Sequence, residues 1–127
     1  MIKFDYFNIY TYVYNIKQIV MNKSHKFDES LQELAGFSKV ISHPARLAIL
    51  KYLAESRVSI SGEISGSLPL SRTTVSQHIA ELRRAGLIDS EINGLKVSYR
   101  LNRKTMKKFS KSFKKFFSFL KDSSPEQ

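Results

Sequence analysis

The chain has 127 residues, 42% of them hydrophobic and 25% charged, enough apolar surface for one buried core and too little sequence for two full domains. It contains no cysteine, which excludes disulfide frameworks, thiolate metal sites and cysteine nucleophiles together. Twenty-one Lys and Arg against eleven Asp and Glu give +10 at neutral pH, a balance that favours a polyanionic partner, either nucleic acid or an anionic membrane surface.

The charge is unevenly placed. Residues 1 to 26 hold four basic and one acidic side chain, 27 to 102 nine and eight, and 103 to 127 eight and two. Binding by the nearly neutral middle would therefore depend on a few placed side chains rather than on a diffuse positive field. Residues 1–27 read as an N-terminal arm. Its first twenty residues, MIKFDYFNIYTYVYNIKQIV, lack a small-residue cleavage site, and Lys3, Asp5, Asn8, Asn15, Lys17 and Gln18 interrupt every possible membrane span. The arm is read as an added helix or strand packing on the domain, as sequence upstream of a true start at Met21, or as a membrane-surface anchor.

From Glu29 the apolar spacing is helical, with Leu31, Leu34, Phe37 or Ser38, and Ile41 on one face. Pro44 suits the first position of a second helix, where a missing N–H costs nothing, and PARLAILKYLAE is apolar on most sides, as a buried central helix would be. His43 before it reads as a cap or turn residue. The stretch SISGEISGSLPL leaves room for a short helix around Gly62 to Ser67, ended by Pro69. LSRTTVSQHIAELRRAGLI carries helix signals at both ends: Ser71 suits the N-cap, Leu70 and Val75 occupy staple positions, and Gly86 suits the residue beyond the C-cap. Val75, Ile79 and Leu82 then point inward, leaving Arg72, Thr73, Ser76, Gln77, Arg83 and Arg84 outward. Ile88 to Leu101 reads as a β-hairpin turning at Asn93-Gly94, with 92 paired to 95, 90 to 97 and 88 to 99, and Glu91 opposite Lys96. Finally Met106, Phe109, Phe113, Phe116 or Phe117, and Leu120 repeat at heptad spacing along a lysine-rich helix.

Helix, helix, short helix, capped helix, hairpin, helix is the order of a winged helix-turn-helix, an α+β and mostly α fold. In that motif the second helix of the turn lies in the major groove of double-stranded DNA and the first braces it. Arg72, Thr73, Thr74, Ser76 and Gln77 supply the groups that base edges need: a bidentate Arg for guanine, Gln for adenine, hydroxyls for either. The helix start at Ser71 offers free N–H groups to a phosphate. His78 and Arg83 on the same helix, Arg46 in the first turn of the second helix and Lys96 on the hairpin, with Arg100, complete the expected contacts. For His78 a role inside the motif stays open, as does a local carboxylate partner for Arg46.

These residues resemble the ArsR/SmtB winged-helix transcriptional repressors over about Phe37 to Leu101. SHPARLAIL looks like the family's proline-led helix, LSRTTVSQHIAELRRAGLI like its recognition helix, and INGLKVSYRL like its wing. The resemblance implies a cytoplasmic homodimeric repressor that binds a palindromic operator and releases it when an effector binds. It implies dimerisation through N- and C-terminal helices, here Leu31, Leu34 and Ile41 with Phe109, Phe113, Phe116 and Leu120. The family's metal sites do not carry over. Val58 to Ile64 has no thiolate, and Lys104 to Lys121 has no Asp, His or Glu, so no metal and no cofactor are expected and the effector is left open.

No Gly-rich phosphate loop, GxSxG elbow or other catalytic constellation is present in the sequence, so no enzyme is expected. The lysines of the last helix read as a solvated outer face rather than a membrane-binding one. The domain is expected to span 28–122, with a tail at 123–127. The alternative is a winged-helix protein-interaction module without specific DNA binding.

Overall fold

The computed structural model describes residues 26–123. The expectations for the arm, including the start at Met21, fall on residues outside those described. In chain order the elements are α1 (Glu29–Ile41), α2 (Pro44–Ser56), β1 (Ser59–Ile60), α3 (Ser61–Gly66), α4 (Arg72–Arg84), β2 (Ile88–Asn93), β3 (Lys96–Leu101) and α5 (Arg103–Asp122). The fold is the expected winged helix-turn-helix, with a three-stranded antiparallel sheet ordered β1-β3-β2.

One core holds it together. Ile49 and Leu53 of α2, Ile64 of α3, Val75, Ile79 and Leu82 of α4, and Leu87 and Ile88 at the start of the wing are almost wholly buried and form a single cluster. Each such side chain contributes about 1.5–3 kcal/mol of burial free energy, so the positions of α3 and α4 relative to α2 are fixed by packing. The helix α2 is less enclosed than its composition suggests. It buries Ala45, Ile49 and Leu53 along one stripe, while Leu47 is 49% exposed.

The ends of the helices follow local chemistry. Pro44 opens α2, and His43 caps it: its Nδ1 accepts the Ala45 N–H at 3.1 Å. After α2 the chain turns at Arg57, with φ 67° and ψ −57°. Val58 N–H donates to Ser56 O at 2.8 Å across this residue, which makes a γ-turn in a region a non-glycine residue occupies at a cost of about 1–3 kcal/mol. Gly86, at φ 77°, ends α4 as expected, in a conformation that side-chain-bearing residues avoid. Leu70 is exposed, so the burial of Val75 is owed to the core rather than to a staple.

The hairpin departs from the expected register. Ile92 pairs with Val97, Ser90 with Tyr99, Ile88 with Leu101, and Asn93 with Lys96, so the two turn residues are Gly94 and Leu95. Only Gly94, at φ 66°, has positive φ in this turn. A turn on Asn93-Gly94 of the expected kind needs positive φ at both residues, whereas a glycine-first turn needs it only at Gly94. The partners of β2 therefore shift by two. Because side chains alternate with period two, the shift keeps the alternation: Ile88, Tyr99 and now Leu101 pack on the core, whereas Ile92, expected on the same face, is exposed near the tip. The predicted partner of Glu91 was Lys96; it is Ser98, and Leu95 stands fully exposed at the tip. The short β1, not anticipated, adds to the other edge of β3 through Ser59 opposite Tyr99 and Ile60 opposite Ser98.

The last helix, α5, starts at Asn102, whose Oδ1 accepts the Thr105 N–H at 3.0 Å. It packs on α1 through Phe109 stacked against Phe37, ring centroids 3.8 Å apart, with Phe113 at 5.4 Å from Phe37. Lys108 Nζ and Glu33 Oε2, 3.4 Å apart, add an exposed ion pair between the same helices. Part of the apolar stripe expected at a dimer interface is thus used inside the chain: Leu34 is buried, and Phe109 and Ile41 pack on the core. Leu31, Phe117, Phe119 and Leu120 stay exposed.

Candidate nucleic-acid interface

The site is built on α4. Its inward stripe of Val75, Ile79 and Leu82 is at most 2% exposed, which fixes the rotation of the helix about its axis and turns Arg72, Thr73, Ser76 and Gln77 to the surface. The turn before it is tight, because α3 ends at Gly66 and Ser71 already begins the next cap. Ser71 Oγ accepts the Thr74 N–H at 3.2 Å and donates its own hydrogen to Thr74 Oγ1 at 2.9 Å. Thr74 is half-buried by this arrangement, and its own O–H is left to donate outward. The exposed row is therefore carried on a helix whose start is hydrogen-bonded and whose underside is packed.

Arg72 lies back over the preceding helix, since a Cβ placed on Gly62 would meet its Nη2 at 3.3 Å. Gly62 thus leaves room for the guanidinium where α3 crosses α4. At the other end, Arg83 is exposed and Arg84 pairs with Glu81; both arginines suit the negative end of the helix dipole. Lys96 is exposed beside the hairpin tip, and Arg100 stands on the same outer face of β3.

Arg46 and His78 meet each other. Arg46 Nε donates to His78 Nδ1 at 3.2 Å and its Nη1 donates to Val40 O at 3.0 Å. The His43 ring lies 4.3 Å from the His78 ring. This cluster joins the α1–α2 corner to the middle of α4, and His43, foreseen only as a cap, is its third member. No local spacing announces it, because Arg46 and His78 are 32 residues apart. The bond to Nδ1 places the ring hydrogen of neutral His78 on Nε2. Burial holds the His78 pKa below the ordinary histidine value, the nearby charges of His43 and Arg46 lower it further, and Glu81 opposes them. The folded protein therefore binds the His78 proton more weakly than the unfolded chain does. Its contribution to stability is complete above the unfolded value of about 6.5 and is lost as pH falls through the lower folded value. Thermal melts at pH 7.5 and pH 5 should show a larger loss for the native chain than for His78→Asn, which keeps an acceptor near the Nδ1 position but does not titrate. Equal losses would remove His78 from the linkage.

Among the described residues no three His, Cys, Asp or Glu side chains come together as metal ligands, and no helix is long and apolar enough to cross a membrane.

A capped helix presenting a polar row, preceded by a short bracing helix and followed by a β-wing, defines a winged helix-turn-helix DNA-binding protein. Comparison with known proteins agrees. A family model described as a helix-turn-helix domain matches residues 41–91. The HTH-type transcriptional regulator YgaV of Escherichia coli is 35% identical over 79 residues, covering 62% of this chain and 80% of YgaV. The biofilm growth-associated repressor of Agrobacterium fabrum is 36% identical over 69 residues, covering 54% of this chain and 58% of that repressor. Among solved structures, an ArsR-like transcriptional regulator from Rhodococcus superposes with a TM-score of 0.64 at 22% identity, covering 74% of this chain and 88% of that one. The chain belongs to the ArsR/SmtB family of winged helix-turn-helix transcriptional regulators, and it is a DNA-binding regulator of transcription.

Proposed function

We propose that the protein is a cytoplasmic homodimeric repressor that holds a palindromic operator with residues 28–122, the arm 1–27 and the tail 123–127 lying outside the DNA-binding domain. The observation that carries this reading is the exposed polar row on α4 above a fully packed stripe, with both helix ends specified. Arg72, Thr73, Ser76 and Gln77 meet base edges in the major groove. Ser71, Thr74 and Arg83 meet flanking phosphates, and Lys96 meets backbone at the wing. The Arg46–His78 pair sits at the back of the helix, with the Nε2–H of His78 as its available donor. The apolar residues of α1 and α5 that packing leaves exposed, Leu31, Phe117 and Leu120 with half-buried Phe116, supply the dimer contact. The effector that releases DNA is not a metal, for want of ligands at the positions where the resemblance would place them.

Fluorescence anisotropy tests the reading, with a duplex from upstream of the protein's own gene and a scrambled duplex, at about 50 and 200 mM salt. A preference of about 10³-fold or more for the natural duplex that survives the higher salt is the expected result. Equal affinities that collapse together would leave only the electrostatic term and favour a protein-interaction module. In the same assay Lys96→Ala should weaken both duplexes alike and reduce the slope of log affinity against log salt by about one. A loss confined to the natural duplex would instead place Lys96 on a base.

A further inference from the structure

We propose that a cleft between the α2–β1 turn, the base of the wing and the first turn of α5 binds a small organic anion of two or more charges, a phosphate ester or a polycarboxylate. The cleft is shallow and open to solvent, with a volume of about 640 Å³, within the range of small-molecule sites. Three arginines, all exposed, line it, each brought by a different element: Arg57 by the turn after α2, Arg100 by β3, and Arg103 by the first residue of α5. None of the three makes a hydrogen bond or ion pair among the described residues. The one acid in the lining, Asp89, faces Arg100 across the ladder. Its Oδ1 accepts instead from Asn102 Nδ2 at 3.4 Å.

Three cationic side chains against the single carboxylate of Asp89 leave the cleft net positive, and a bound anion relieves the remaining repulsion. Arginine is suited to such a ligand because its planar fork meets a carboxylate or phosphate with two parallel hydrogen bonds. The backbone sharpens the case at Arg57. A positive φ is the natural place for glycine, yet here the chain keeps a cationic side chain on it, in a turn held by Arg57 N–H to Leu53 O and Val58 N–H to Ser56 O. The first hydrogen bond of α5 is from Met106 N–H to Asn102 O, so the N–H groups of Arg103 and Lys104 precede the helical ladder and are free to donate. Exposed Val58 adds an apolar wall, which fits an organic body beside the charged groups better than a bare inorganic ion. The proposal is independent of how α4 engages DNA.

Isothermal titration calorimetry of the full chain, without DNA and at constant ionic strength, tests it with fructose 1,6-bisphosphate, glycerol 3-phosphate and citrate as probes and chloride as the control. Saturable binding of at least one probe is expected, and the preferred probe separates a phosphate ligand from a carboxylate one. Arg57→Gly and Arg103→Ala should each weaken that binding about tenfold, the loss of a charge-assisted bond. Arg57→Gly suits the positive φ, so a loss in a variant with unchanged circular dichroism reports the guanidinium rather than the fold. Absence of saturable binding by all three probes overturns the proposal, as does native affinity in both variants. If instead the variants bind anions normally but weaken duplex DNA and lower its salt slope, the cleft is a DNA-phosphate contact and the proposal fails.

Discussion

Leu53→Ala should lower the unfolding free energy by about 2–5 kcal/mol. Leu53 is fully buried and lies on α2 in the cluster that also holds Ile64 of α3, Val75 of α4 and Ile88 of the wing. Truncation there removes burial and leaves a cavity bounded by well-packed neighbours, which is why the cost exceeds simple transfer. For a domain of this size each kcal/mol corresponds to about 4–8 °C in Tm, so the variant should melt far below the native protein. Leu47→Ala, on the same helix but half exposed, is the control and should cost well under half as much. Urea titrations followed by circular dichroism compare the two. Equal costs would mean that the cluster around Leu53 is not the core, and with it would go the packing argument that orients α4.

Helices were legible where their signals are local. Pro44, Ser71 and Gly86 act within a turn of themselves, and the stripe of Val75, Ile79 and Leu82 repeats along a single element, so the outward row of α4 could be placed before the fold was known. The hairpin was legible in its faces but not in its partners. Both candidate turns contain Gly94, and choosing between them depends on which residues take positive φ, a backbone property that the pair Asn93-Gly94 does not settle. Two residues are too few for an alternating pattern, so β1 had no signature; it exists because β3 offers an unpaired edge beside Ser59. The Arg46–His43–His78 cluster and the arginine cleft were hidden for a third reason. Each joins elements far apart in sequence, and side chains that meet only through the tertiary fold leave no periodicity behind. Phe37, Phe109 and Leu34 show the same limit from the other side: their spacing marks them as covered, but only packing shows that the cover is the chain's own α1–α5 contact.

Replacing Gln77 or Arg72 by alanine should cost about 1–3 kcal/mol in operator affinity, roughly five- to 150-fold, and should relax the preference at one base-pair position in each case. Both side chains are exposed on α4, so melting curves should barely move. The two substitutions differ in what they leave behind. Gln77→Ala removes a neutral bidentate partner, so affinity should fall at unchanged salt slope. Arg72→Ala removes a charge as well, and the slope should fall with it. Arg72→Lys separates the two contributions. It keeps the charge and hence the slope, but a point-like ammonium lacks the fork that grips guanine O6 and N7, so the base preference should still weaken. Anisotropy against a set of operators carrying single base-pair changes reads all three variants at once. If Arg72→Lys keeps native discrimination at every position, Arg72 is a phosphate contact held over Gly62 of α3, and the reading of bases belongs to Gln77, Ser76 and Thr73.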